Sequence, residues 1–163
     1  MQAEIRQTKP FRSGAEEAGL SLLRTTDRLE RRLAAVVETK QITLQQYNVL
    51  RILRGSSPER LPTLEIATRM VEQAPGITRL LDRLEAKGLV ERARCAKDRR
   101  RVYCAVTRSG LALLAALDRP VVEALESSFD SLSTDQTRRL ITLLDTLREG
   151  LADEMELNQG EGS

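Results

Sequence analysis

The tightest constraint on this chain is a helical repeat that stops at a glycine and turns at once into strand alternation. It lies between Ala74 and Thr107, APGITRLLDRLEAKGLVERARCAKDRRRVYCAVT. Ile77, Leu80, Leu81 and Leu84 fall at i, i+3, i+4 and i+7, one apolar face of a helix expected from Ala74 to Lys87. Pro75 suits a first turn, because its missing N–H would be unpaired there anyway. Gly88 is the stop. Beyond it the period drops to two. One strand is expected from Leu89 to Cys95 and a second from Val102 to Thr107, in which Val102, Cys104 and Val106 face one way and Tyr103, Ala105 and Thr107 the other.

Flanking segments read as helices. Aromatic residues are only 2% of the chain, so the core must come from Leu, Ile, Val and Ala, which favours packed helices over a β-sandwich. Ser13 with Glu16, Thr43 with Gln46 and Ser133 with Gln136 have capping-box spacing and mark three helix starts. The first helix carries Leu22, Leu29, Leu33, Val36 and Val37 to about Thr39; the second is LQQYNVLRILR, closed by Gly55. SSPERLP (Ser56 to Pro62) reads as a turn, and Thr63 as the N-cap of a short helix, TLEIATRMVEQ. That helix and the one after it, separated by a tight turn, have helix-turn-helix order.

A long helix is expected from about Leu111 to Ser127, bent or split by Pro120. In the last helix Leu140, Leu144, Leu147 and Leu151 keep a 4-3-4 spacing close to a coiled-coil seam. At 163 residues one domain is expected, or one domain with helical extensions. The expected division is a tail (1–14), a folded region (15–157) and a polar tail (158–163).

Net charge is only +2, yet Arg92, Arg94, Lys97, Arg99, Arg100 and Arg101 cluster against the single acid Asp98. A near-neutral total hiding one basic patch fits directed contact with phosphates. On the helix, the face opposite the leucines offers Gly76, Thr78, Arg79, Asp82 and Arg83. Alone, Arg79 and Arg83 read equally as a solvated face paired with Asp82 or Glu85. An edge hairpin charged against aggregation explains one or two Lys or Arg. It explains the run Arg99 to Arg101 poorly, whereas an arginine-rich loop reaches a backbone or a narrow minor groove.

Several classes find no support. Two cysteines, Cys95 and Cys104, and no histidine give neither a disulfide framework nor a metal site, and no cofactor is expected. There is no Gly-rich phosphate loop and no nucleophile–base pair, so an enzyme is not expected. No apolar run approaches membrane-spanning length, and Met1 to Arg12 lacks the apolar core of a signal peptide. A cytoplasmic protein without membrane association is expected.

ITRLLDRLEAKGLVER (Ile77 to Arg92) and KDRRRVYCAVTRSG (Lys97 to Gly110) resemble the recognition helix and wing of MarR-family winged-helix regulators. QQYNVLRIL (Gln45 to Leu53) resembles that family's second helix. The wing signature corresponds to Asp98, Arg100, Val106, Thr107 and Gly110. The resemblance implies a mainly α fold with a small β-hairpin wing, in which a winged helix-turn-helix (about 43–107) is flanked by N- and C-terminal dimerisation helices (about 15–40 and 111–157).

It further implies a homodimer on double-stranded DNA that answers to a small-molecule effector. DNA contact would fall to Pro75, Gly76, Thr78, Arg79, Arg83, Lys97, Asp98, Arg99, Arg100 and Arg101, with Asp98 shaping the loop and Arg100 reaching DNA. Pro75 and Gly76 depart from the Ser and Thr frequent in the family, and Val102 replaces a common basic residue. Two other readings stay open. Cys95, among Arg92, Arg94 and Lys97, is a candidate oxidant sensor, although Cys95 and Cys104 read more simply as small hairpin residues and no Cys occupies the first helix, where peroxide-sensing members carry theirs. A winged-helix module for protein assembly, without DNA binding, is the second.

Overall fold

The computed structural model describes residues 4, 6, 8–71, 76–94 and 101–160, with side chains described through residue 152. The elements are α1 (Gly14–Glu38), α2 (Leu44–Ser56), β1 (Leu61–Pro62), α3 (Thr63–Thr68), α4 (Ile77–Ala86), β2 (Val90–Arg94), β3 (Val102–Val106), α5 (Arg108–Ser128) and α6 (Thr134–Gly160). The fold is mainly helical with one small antiparallel sheet, ordered β1-β3-β2. The chain divides into two compact units, Met1–Ala124 and Leu125–Ser163.

The three capping signals start helices where expected. Thr43 and Gln46 form a complete box. So do Ser133 and Gln136, through Ser133 N donating to Gln136 Oε1 (2.8 Å) and Gln136 N to Ser133 Oγ (3.3 Å). At α1 the Ser13 hydroxyl accepts from Glu16 N, but the Glu16 carboxylate takes the Arg12 N–H instead of that of Ser13.

Other boundaries differ from the sequence reading. Gly55 does not close α2, which continues to Ser56 and ends where Ser57 turns extended. Leu61 and Pro62, read as part of a turn, form the short strand β1 against Cys104 and Tyr103 of β3. Thr63 is consequently the first residue of α3 and not its cap. Pro62 holds the cap position, and the Thr63 hydroxyl donates to the Val102 carbonyl, 3.3 Å away. A two-residue strand exists only through its distant partner, so local pattern carries no sign of it.

Helix α3 ends at Thr68, well before the expected Gln73, and α4 begins at Ile77 rather than Ala74. Pro120 does not split α5. It removes the bond to the Ala116 carbonyl, but both residues are exposed, so water can take that carbonyl's place.

In the first unit Val37, Val49, Leu50, Ile66, Leu81, Leu84 and Leu114 are fully buried. Arg54 of α2 donates from Nη1 to both Asp118 oxygens of α5, at 2.9 and 2.8 Å, in a partly buried position. In the second unit no described residue of α6 is buried, and Ile141, Leu143, Leu147 and Leu151 are large apolar side chains left exposed.

Candidate nucleic-acid interface

Helix α4 is aimed by its two ends. Gly76, the N-cap, has φ +100°, a left-handed conformation that side chains disfavour, and makes no side-chain cap bond. Among the described residues no side chain caps the first N–H groups of α4, and they are natural partners for an anion. At the other end Gly88 (φ +68°) closes a Schellman motif. Gly88 N donates to Glu85 O (2.8 Å) and Leu89 N to Leu84 O (3.0 Å). The chain leaves this glycine directly into β2.

Between these ends the helix divides as its periodicity dictates. Leu81 and Leu84 are fully buried and Ile77 and Leu80 partly so, while Gly76, Thr78, Arg79, Asp82 and Arg83 are exposed. The structure brings Gly76, Thr78, Arg79 and Arg83 together on α4, and Arg101 is exposed at the start of β3. Pro75, Cys95, Lys97, Asp98, Arg99 and Arg100 lie outside the described residues.

The carboxylates expected to pair with Arg79 and Arg83 are otherwise engaged. Arg92 of β2 takes both. Its Nη2 lies 2.6 Å from Asp82 Oδ1, and its Nε donates to Glu85 Oε2 at 2.8 Å. The hydrogen bond that Arg92 donates to Glu85 is the largest cause of its raised pKa, which keeps that guanidinium charged. Arg79 and Arg83 make no ion pair among the described residues. By sequence Arg92 groups with the basic patch, which hides this separate role. Alternation holds the signal: Arg92 stands two residues after buried Val90 and opposite buried Cys104, on the sheet face that turns inward.

The far end of the hairpin is tied to α4 by one side chain. Thr107 Oγ1 donates to Gly88 O (2.7 Å) and accepts from Gly110 N (3.1 Å), while Thr107 N donates to Leu89 O (3.1 Å). Thr107 thus caps α5, which starts at Arg108 and not at Leu111, and joins it to the stop of α4. Gly110 is buried in this corner. A Cβ there would lie 2.4 Å from Leu89 O and 2.7 Å from Val106 Cγ2. Together Thr107 and Gly110 explain the end of the wing signature.

Cys104 is buried, and burial raises its pKa, so its thiol stays protonated and poorly reactive. Among the described residues no cluster of His, Cys, Asp or Glu is arranged to hold a metal. Likewise, no described helix is long and apolar enough to cross a membrane.

Two helices in helix-turn-helix order, α3 and α4, followed by the β2–β3 hairpin, define a winged helix-turn-helix protein. The MarR family model matches residues 42–102. A MarR transcription factor from Planctomyces limnophilus, known from a crystal structure, is 42% identical, with 84% of this chain and 99% of that one covered and a TM-score of 0.66. The chain belongs to the MarR family of transcriptional regulators. The HTH-type transcriptional regulator FarR of Neisseria gonorrhoeae is 27% identical over 149 residues, 91% of this chain and 99% of that protein. Sco3205, a MarR family regulator from Streptomyces coelicolor solved in complex with DNA, is 23% identical, with a TM-score of 0.76 over 89% of this chain and 92% of that one.

Proposed function

We propose that this protein is a repressor that binds a pseudo-palindromic operator as a homodimer and is released by a small-molecule ligand. The observation that carries the DNA reading is the exposed face of α4, where Arg79 and Arg83 have no ion-pair partner among the described residues. Two guanidinium groups without an ion pair among the described residues, Arg79 near the N-terminus of α4 and Arg83 in its last turn, suit base edges and phosphate. Arg79, with Thr78 and Gly76 at the entering end, is the candidate base reader. Arg83 is a phosphate contact. At the wing, Arg99, Arg100 and Arg101 reach the minor groove or phosphates, Lys97 adds charge and Asp98 shapes the loop. Pro75, next to Gly76 in the sequence, belongs to the same proposed contact set.

The dimer reading rests on α6. A 27-residue helix that buries none of its described residues needs another surface for its leucines. A two-fold dimer would set two copies of α4 about 34–36 Å apart, one helical turn of DNA. Release by a lipophilic ligand rests on family membership alone. Oxidation at Cys104 is disfavoured by its burial, and Cys95 lies outside the described residues.

Selection of bound duplexes from a random pool tests this reading. A two-fold symmetric motif is expected, with affinity falling steeply as salt rises. Absence of any enriched motif, with no salt-dependent binding, would favour a protein-assembly module instead. In the same selection Arg79→Ala is expected to relax the motif at one position per half-site. A guanine lost there corresponds to roughly 1–3 kcal/mol of discrimination, and an unaltered motif would exclude base reading by Arg79.

A further inference from the structure

We propose that Arg92 is a positioning residue for DNA recognition: by engaging Asp82 and Glu85 from β2, it keeps Asp82 away from Arg79 and masks two carboxylates on the recognition helix. This inference rests on the DNA-binding reading of α4 and assigns a role to a residue outside the proposed contact set.

Asp82 follows Arg79 by three residues, a spacing at which helix side chains meet and ion pairs form. Within α4 alone, Asp82 is therefore the natural partner of Arg79, and that pairing would occupy the guanidinium proposed to read a base. Glu85 follows Asp82 by the same spacing, so two like charges also face each other on one helix side. Arg92 resolves both conflicts. It is a third, external cation, 22% exposed at its side chain, and contacts carboxylates that are 51% (Asp82) and 41% (Glu85) exposed. Its fork reaches both acids at once, which a lysine's single point charge does less well. The acids remain near solvent, where an approaching polyanion would meet them, but each arrives with its charge offset.

The same contacts also fasten β2 to α4, so the test must separate charge masking from fastening. The probe is a duplex selected by the wild-type protein from a random pool. Arg92→Ala is expected to lower affinity about tenfold at physiological salt, equivalent to about 1.4 kcal/mol. Adding Asp82→Asn to Arg92→Ala is expected to restore affinity to within about threefold of wild type, because the amide neither captures Arg79 nor repels phosphate. A simple fastening role predicts no such rescue, since the second substitution removes the remaining half of the contact.

Asp82→Asn alone, with Arg92 intact, is expected to bind as well as wild type or slightly tighter. This single variant decides the matter even if Arg92→Ala does not fold. A loss of affinity of about tenfold or more in Asp82→Asn would overturn the proposal, as would unrescued loss in the double variant or unchanged affinity in Arg92→Ala. Failure of the wild type to select any duplex would remove the DNA reading itself and this inference with it. Selection by the wild type with any of the three adverse variant results removes this inference alone.

Discussion

Gly110→Ala is expected to destabilise the protein by about 1–3 kcal/mol, the range for overpacking a filled site. The added methyl would sit 2.4 Å from the Leu89 carbonyl oxygen, a backbone atom fixed by its bond from Thr107 N. Neither side can yield without moving α5 from the hairpin base. At about 2–4 °C per kcal/mol for a chain of this size, thermal unfolding followed by circular dichroism should show a drop of several degrees. Gly55→Ala supplies the control, since nothing lies within 4 Å of its Cβ and its backbone is already helical. There alanine should stabilise, by up to about 1 kcal/mol. Protein concentration must be matched across samples, because association raises apparent stability. Equal melting of Gly110→Ala and wild type would mean that the corner relaxes freely.

The second large effect concerns the proposed dimer. Leu147 and Leu151 are 47% and 53% exposed on α6. Replacing both with glutamate should leave the first unit folded and yield a monomer in analytical ultracentrifugation. Operator affinity should fall by roughly 10²–10⁴-fold, the gain that linking two sites brings, while weak salt-dependent binding by each half survives. A Leu147→Glu, Leu151→Glu protein that remains a dimer with full affinity would exclude this stripe as the interface.

Much of α4 was legible because its determinants are local. The spacing of Ile77, Leu80, Leu81 and Leu84 defines its inner face, and Gly88 provides the left-handed residue that stops it. The start was misread by three residues, since a proline in a helical composition looks like a first turn. The backbone of Gly76 takes a left-handed conformation that no periodicity encodes. The basic run between the strands was equally visible, although its members apart from Arg101 lie outside the described residues. Arg92 was visible but misassigned. Its charge grouped it with the loop, whereas its strand parity sets it against α4.

The sequence by itself determined the order of the helices and of the hairpin, the three capped helix starts, the apolar face of α4 and the placement of Arg79 and Arg83 opposite it. Those features depend on residues within one or two turns of each other, where spacing and side-chain chemistry are enough. Only the tertiary structure decided the rest. It made a strand of Leu61 and Pro62 by pairing them with β3, gave Thr63 and Thr107 partners far along the chain, and filled the space beside Gly110 so that no Cβ fits. It also chose which cation holds Asp82 and Glu85. Each of those outcomes depends on which distant groups packing brings within a few ångströms.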